Sequence, residues 1–222
     1  MPQGFDLLVF DWDGTLMDSV ASIVACMQHA AEDCGLGPAS EERVRRMIGL
    51  SLVEARSAMG FDVSDELWAQ VIDRYRHHWF AGYRDRHEAF PGAEPALAEL
   101  SRRGYTLAIA TGKGRRGLER DLETTGLGRY FVATRTVDEA PSKPHPQMLL
   151  ELMAELGAAP QRTLMIGDTV YDLEMATNAG AASLAVASGA EAEGELLARG
   201  PLACLREVGA LPAWLETREF AA

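Results

Sequence analysis

Lysine is almost missing from this 222-residue chain: of 21 basic side chains only Lys113 and Lys143 are lysine. A general bias toward arginine accounts for the rest, so the two exceptions mark positions to look at. Cysteine is also scarce. Cys26, Cys34 and Cys204 contain no CxxC pair. Cys26 and Cys34 stand eight residues apart in one helical pattern. That is roughly 12 Å at about 1.5 Å per residue, too far for a disulfide. A reducing, cytoplasmic compartment is therefore expected. Positive charge is short overall, with 33 acidic against 21 basic residues and a net charge of −12. No basic stripe is available to neutralise a nucleic-acid backbone, which disfavours that class of partner. A local positive pocket for a small anionic substrate stays open. Long apolar runs are missing too. Leu7 to Phe10 has no basic residue before it, and Ala181 to Ala190 is broken by Ser183 and Ser188. Both are too short for a signal peptide or a membrane span, so no membrane role is expected.

What is present is an ordinary globular composition, 47% apolar, 24% charged and 7% aromatic. A chain of this length can bury roughly 70% of its unfolded surface and needs no metal or disulfide staple. Phe5–Phe10 is a short apolar run ending in acidic residues and reads as a buried parallel strand. From residue 17 to 87 the pattern is all helix, with segments over Val20–Asp33, 40–48, 52–59 and 64–83. After Phe90-Pro91-Gly92 it alternates. Strands are predicted at Tyr105–Ala110, Phe131–Thr134, Thr163–Ile166, Ala182–Val186 and Leu202–Leu205, with a helix before or after each. Such alternation implies right-handed crossovers and a parallel sheet covered on both faces. The fold class is α/β, a Rossmann-like parallel-sheet core with an inserted all-helical domain. The core is assigned to residues 1–15 and 88–222, the insertion to residues 16–87.

In open parallel sheets ligands bind beyond the carboxyl ends of the strands. The first strand ends in Asp11-Trp12-Asp13-Gly14-Thr15 and the second in Thr111-Gly112-Lys113. The third leads to Lys143-Pro144-His145-Pro146, and the fourth ends in Gly167-Asp168-Thr169, with Asp172 just beyond. Clustered carboxylates repel unless a hard cation lies between them, which implies Mg²⁺. Two aspartates at i and i+2 cannot share a strand face, but past the strand end the chain can aim both at one substrate. One can attack phosphorus while the other manages the proton of the leaving group. Thr111, the Gly112 amide and the Lys143 ammonium would bind the transferring phosphoryl oxygens.

These four segments, in this order, resemble the motifs of the haloacid dehalogenase-like hydrolase superfamily, with Asp11 to Leu16 as the first, Thr111 as the second, Lys143 as the third and Asp168 with Asp172 as the fourth. The helical insertion resembles the small cap of the phosphoglycolate phosphatase-like branch. The resemblance implies a Mg²⁺-dependent phosphatase acting on a small phosphorylated metabolite, phosphoglycolate being the best single candidate. It implies Asp11 as the nucleophile that becomes an aspartyl-phosphate and Asp13 as general acid/base. It implies metal ligation by Asp11, the Asp13 backbone carbonyl and Asp168, with Asp172 nearby. A mutase of the β-phosphoglucomutase kind shares all four motifs and is the alternative within the superfamily.

Each motif also has a blander reading. The Asp11–Asp13 segment lacks the glycine that a calcium loop needs at its sixth position, where Leu16 stands. Gly112 to Gly117 matches G-x-G-x-x-G and makes a non-catalytic dinucleotide-binding module the rival of a different class. It leaves the other motifs unexplained. Lys113, at a helix start, reads as solvated. Asp172 has a competing reading as a charge on the first helical turn. Trp68, Tyr75 and Trp79 read as core of the helical block, His77 and His78 as a wet helix face. Arg45, Arg46 and Arg56 flank a loop, Gly49-Leu50-Ser51, that is expected to face the site.

Overall fold

The computed structural model describes residues 4–37, 39–83 and 88–219. Its centre is a six-stranded, all-parallel sheet in the order β3-β2-β1-β4-β5-β6. The strands are β1 (Leu7–Phe10), β2 (Thr106–Thr111), β3 (Ala133–Thr136), β4 (Thr163–Gly167), β5 (Ala182–Val186) and β6 (Cys204–Leu205). β1 is buried at every position because it runs between β2 and β4 under helices on both sides. Its side chains divide the core by alternation: Leu8 and Phe10 enter one cluster, Leu7 and Val9 the other. Their apolarity on both faces is what a central parallel strand requires.

Crossover helices α5 (Ala93–Arg102), α6 (Arg115–Thr125), α7 (Gln147–Leu156), α8 (Val170–Asn178) and α9 (Glu193–Leu197) connect the strands, and α10 (Leu211–Glu219) closes the described chain. β3 starts two residues later than its predicted position. A single 3₁₀ turn over Leu127–Tyr130 precedes it. Phe131 packs edge-on against Phe10, with ring centroids 6.1 Å apart, instead of entering the ladder. β6 keeps only two of its four predicted residues.

Between β1 and α5 lies the helical block, with α1 (Val20–Asp33), α2 (Glu41–Arg45), α3 (Ala55–Ala58) and α4 (Asp65–His78). It has its own apolar cluster, built on Val24, Met27, Val44, Trp68 and Val71 among others. Two of its helices are shorter than predicted, since turns take over after Arg45 and before Ala55. The long fourth helix changes character at Trp79, where Trp79–Tyr83 winds as a π-helix, a form that often accompanies functional sites. The block joins the sheet through two adjacent connections. Met17 bridges to Asp13 and Ala89, Asp18 donates to the Glu88 carbonyl, and Phe90 donates to that of Leu16. No helix among the described residues is long and apolar enough to cross a membrane.

Candidate active site

Parallel pairing puts the carboxyl ends of β1, β2 and β4 side by side, and the predicted residues follow these ends. Asp11, Asp168 and Asp172 converge, each offering an oxygen within 4.8 Å of the other two, and all three are buried. Asp168 is fixed from two sides. Thr15 donates its hydroxyl to Oδ1 at 2.7 Å, and the Ala190 amide donates to Oδ2 at 2.8 Å. The chain must come very close here, and a Cβ on Gly14 or Gly189 would collide with this carboxylate. Gly14 also holds a φ of +86°, which glycine adopts without strain.

Asp172 caps a helix and faces the site at once. Its Oδ2 accepts the backbone amide and hydroxyl of Thr169, forming the capping box of α8. Its Oδ1 lies 2.6 Å from the Lys143 ammonium, which is also 2.6 Å from Asp11 Oδ1. These are ion pairs off hydrogen-bonding angles, for Asp11 Oδ1, Asp172 Oδ1 and Lys143 Nζ all lack an aligned hydrogen-bond partner. Burial opposes charge on Lys143, but Asp11 and Asp172 outweigh it and hold the ammonium above its ordinary range. Burial pushes Asp11 up to about 7 despite the pull of Lys143. It lifts Asp168 well above the usual carboxylate range, with Asp11 and Asp172 adding repulsion. Three buried carboxylates thus face one buried ammonium, an excess of negative charge in a set of hard oxygen donors. That donor chemistry suits a divalent cation such as Mg²⁺.

Asp13 is not in this cluster. Its side chain accepts from Ser19 Oγ at 2.7 Å and lies 3.0 Å from Lys113 Nζ. Lys113 is therefore not the solvated residue expected from its helix start. Its side chain is 10% exposed, pairs with Asp121 at 3.2 Å as well, and lies 4.7 Å from the centre of the Trp79 ring. Asp121, in the middle of α6, also accepts from Trp12 Nε1 at 3.0 Å. Sequence reading missed Asp121 altogether, because a helix-interior aspartate carries no motif. The scarcity of lysine was the signal that could have placed Lys113.

A cavity of about 560 Å³ opens between the helical block and the strand ends. Asp11, Asp13, Thr111, Gly112 and Lys113 form one end. A Cβ on Gly112 would strike the carbonyls of Gly49 and Leu50, so only glycine fits there. Gly49-Leu50-Ser51 does line the cavity as expected, and Ser51 anchors its loop by donating to Ser142 Oγ at 2.9 Å. The three flanking arginines do not line it. Arg45 pairs with Glu41, Arg46 with Glu42 and Arg56 with Asp65. Lys143, Asp168 and Asp172 stand off its wall, which leaves Asp11 as the carboxylate common to cluster and cavity.

One further expectation changes. Tyr75 and Trp79 line the cavity besides belonging to the helical core, because the π-helical turn brings Trp79 over Lys113. His77 is exposed and His78 lies 2.9 Å from Asp33 in an exposed pair, as a wet helix face implies. The dinucleotide reading also meets an obstacle. The first amide of α6, on Arg115, already donates to the Asp138 carboxylate at 2.7 Å, where a pyrophosphate would have to sit.

Residues 8–186 match the description of the haloacid dehalogenase-like hydrolase family. The chain belongs to that family. It stands in the phosphoglycolate phosphatase-like branch. It is 36% identical over 203 residues to a probable phosphatase, IndB, of Dickeya dadantii, covering 88% of this chain and 86% of that one. It is 31% identical to a phosphoglycolate phosphatase of Vibrio parahaemolyticus, covering 84% and 86% of the two chains. It is 33% identical to a pyrophosphatase, PpaX, of Oceanobacillus iheyensis, covering 81% and 82%. The crystal structure of a hydrolase from Pseudomonas syringae superposes with a TM-score of 0.87 at 27% identity, over 97% of this chain and 99% of that one. This family member is accordingly an enzyme, a phosphatase of the hydrolase class.

Proposed function

We propose that this hydrolase cleaves the phosphate monoester of a small metabolite through an aspartyl-phosphate on Asp11. The observation that carries the reading is that Asp11 belongs both to the buried carboxylate cluster and to the cavity wall. Asp11 attacks phosphorus, and its new P–O bond forms as the bond to the leaving alcohol breaks. Asp13, on the same wall, gives the leaving oxygen its proton. It then takes one from the water that attacks the aspartyl-phosphate, which frees phosphate and restores the Asp11 carboxylate. Thr111 and the Gly112 amide hold phosphoryl oxygens, and Lys143, 2.6 Å from Asp11, places its charge against the same group.

Asp11, Asp168 and Asp172 would hold Mg²⁺, with the Asp13 backbone carbonyl as the resemblance implies. Bound there, the cation neutralises phosphoryl charge as a Lewis acid. Residues 16–87 act as a cap over the cavity and exclude water from it. Phosphoglycolate is the first substrate to test, on the strength of the relatives that carry that name. The three cysteines are free, in keeping with the cytoplasm.

The test is phosphate release from a panel of phosphorylated metabolites with Mg²⁺, wild type beside Asp11→Asn. Free phosphate, and not an isomerised sugar phosphate, separates the phosphatase from the mutase. Asp11→Asn should abolish turnover, since an amide cannot serve as the anionic nucleophile; near-native hydrolysis by this variant would overturn the mechanism.

A further inference from the structure

The cavity has two chemically different ends. Beyond the phosphate end, its wall is made by Ile23, Ile48 and Ile72 and by the rings of Tyr75, Trp79 and Phe80. All six also belong to the apolar cluster of the helical block or pack against it. Its volume is about 560 Å³. A two-carbon acid such as glycolate would leave most of that space to water held against apolar walls.

Among the described residues three cations line this space, Lys113, Arg76 and Arg116. Lys113 is shared between Asp13 and Asp121. Arg76 lies 3.7 Å from Asp73. Arg116 is exposed, with its guanidinium 5.6 Å from the centre of the Phe80 ring. Arg76 and Arg116 are exposed, so a carboxylate carried into the isoleucine and aromatic end gains no buried partner among the described residues for the hydration it loses, which is costly. An apolar or aromatic group would displace loosely held water from the same walls, which favours binding.

We infer that the leaving group of the natural substrate is a bulky, ring-bearing or otherwise apolar alcohol, not a short carboxylic acid. The inference rests on the phosphatase reading above and specifies its substrate class. The rings of Tyr75 and Trp79, stacked at 21° with centroids 6.3 Å apart, offer a surface against which a flat group can pack.

The test compares three monoesters whose leaving groups are all simple alkoxides: ethyl phosphate, 2-phenylethyl phosphate and phosphoglycolate. Phosphate release is followed with Mg²⁺, and p-nitrophenyl phosphate serves as the general phosphatase control. The expected result is a kcat/KM for 2-phenylethyl phosphate at least about tenfold above ethyl phosphate, with phosphoglycolate no better than ethyl phosphate. Phe80→Ala, checked for folding by thermal melt, should shrink the phenylethyl-to-ethyl ratio. Equal rates on the two alkyl esters overturn the inference, and so does a preference for phosphoglycolate; either leaves the phosphatase reading intact. Release of phosphate from none of the four esters overturns the phosphatase reading instead.

Discussion

Lys113 grips both oxygens of Asp13, its ammonium lying 3.0 Å from Oδ1 and 3.1 Å from Oδ2. The same ammonium holds Asp121, so one buried cation serves two carboxylates that would otherwise repel each other. Burial works against its charge, yet Asp13 and Asp121 prevail and raise its pKa. The grip aims Asp13, the residue given the acid/base role, into the cavity.

Lys113→Met should therefore cost about 3–5 kcal/mol of stability, the usual penalty for breaking a buried pair from one side. Adding Asp121→Asn removes the stranded charge while keeping an oxygen for Trp12 Nε1, and should recover part of the loss. Turnover should not recover with it, because Asp13 still lacks its partner. Lys113→Arg, harmless at a solvated site, should lose more than tenfold in kcat/KM, since a guanidinium is broader than the space an ammonium fills. Thermal melts and kcat/KM on the single and double variants decide the matter. A fully active, fully stable Lys113→Met would remove the grip from the account.

The two lysines show what the sequence could and could not disclose. Lys143 follows a strand end within a motif, so topology alone placed it. Lys113 also follows a strand end, but it opens a helix, where most basic residues are solvated. Only the packing of Trp79 and α6 around it makes it buried. The sheet was legible because β1, β2, β4 and β5 are largely apolar runs between helical periods, whereas β3, Ala-Thr-Arg-Thr, was placed two residues early. The π-helical turn at Trp79–Tyr83 was not, because hydrophobic periodicity reports a buried face and not a change of helical pitch. Asp11 and Asp168 were legible as strand-end residues, and Asp172 as an acid just inside the next helix. Their convergence to within 4.8 Å depends on β1 lying next to β4, which strand order in the sequence does not specify.

The buried carboxylate excess predicts a metal-dependent stability. Mg²⁺ at about 100 times its Kd should stabilise the fold by about 2.7 kcal/mol, seen as a rise in Tm that EDTA reverses. Asp168→Asn should blunt that rise. Ca²⁺ should bind yet inhibit, because it takes more oxygens at longer distances and can hold Asp11 through both of its oxygens. Full activity after exhaustive EDTA treatment, or a Tm indifferent to Mg²⁺ in the wild type, would exclude the cation from the site.

Glu191, whose pKa Asp172 helps to raise, gives a pH signature at the edge of that site. Its carboxylate accepts from the Val170 amide at 2.8 Å. Burial pushes its pKa up to about 7, although that amide pulls the other way. Between the unfolded value near 4.5 and about 7 the folded protein holds a proton that the unfolded chain has released. Stability from this group is thus full below about 4.5 and is lost as pH rises through 7. Glu191→Gln, which cannot ionise, should flatten this part of the Tm–pH curve and raise its upper end relative to wild type. The difference between the two curves, measured from pH 4 to 8 at fixed Mg²⁺, isolates the group. Parallel curves would show that Glu191 titrates normally.

The last prediction concerns Lys143, whose side chain has no exposed surface and touches Asp11 and Asp172 at 2.6 Å each. If charge alone mattered, Lys143→Arg would be tolerated in a chain that uses arginine almost everywhere else. The space between these two carboxylates is shaped by the α8 capping box on one side and by the end of β1 on the other. Neither can retreat without breaking backbone hydrogen bonds. A guanidinium is planar and prefers to engage one carboxylate through two parallel hydrogen bonds. It would draw Asp11 away from the cavity or Asp172 away from Thr169. Losing one preorganised charged donor in comparable sites costs about 3–4 kcal/mol, or about 10²–10³ in rate. Lys143→Arg should show that loss in kcat, with a lowered Tm where the capping box is disturbed. Single-turnover kinetics separate the two effects, because a displaced Asp11 slows formation of the phosphoenzyme and not its hydrolysis. A variant that forms phosphoenzyme at the wild-type rate would show that Lys143 does not position the nucleophile.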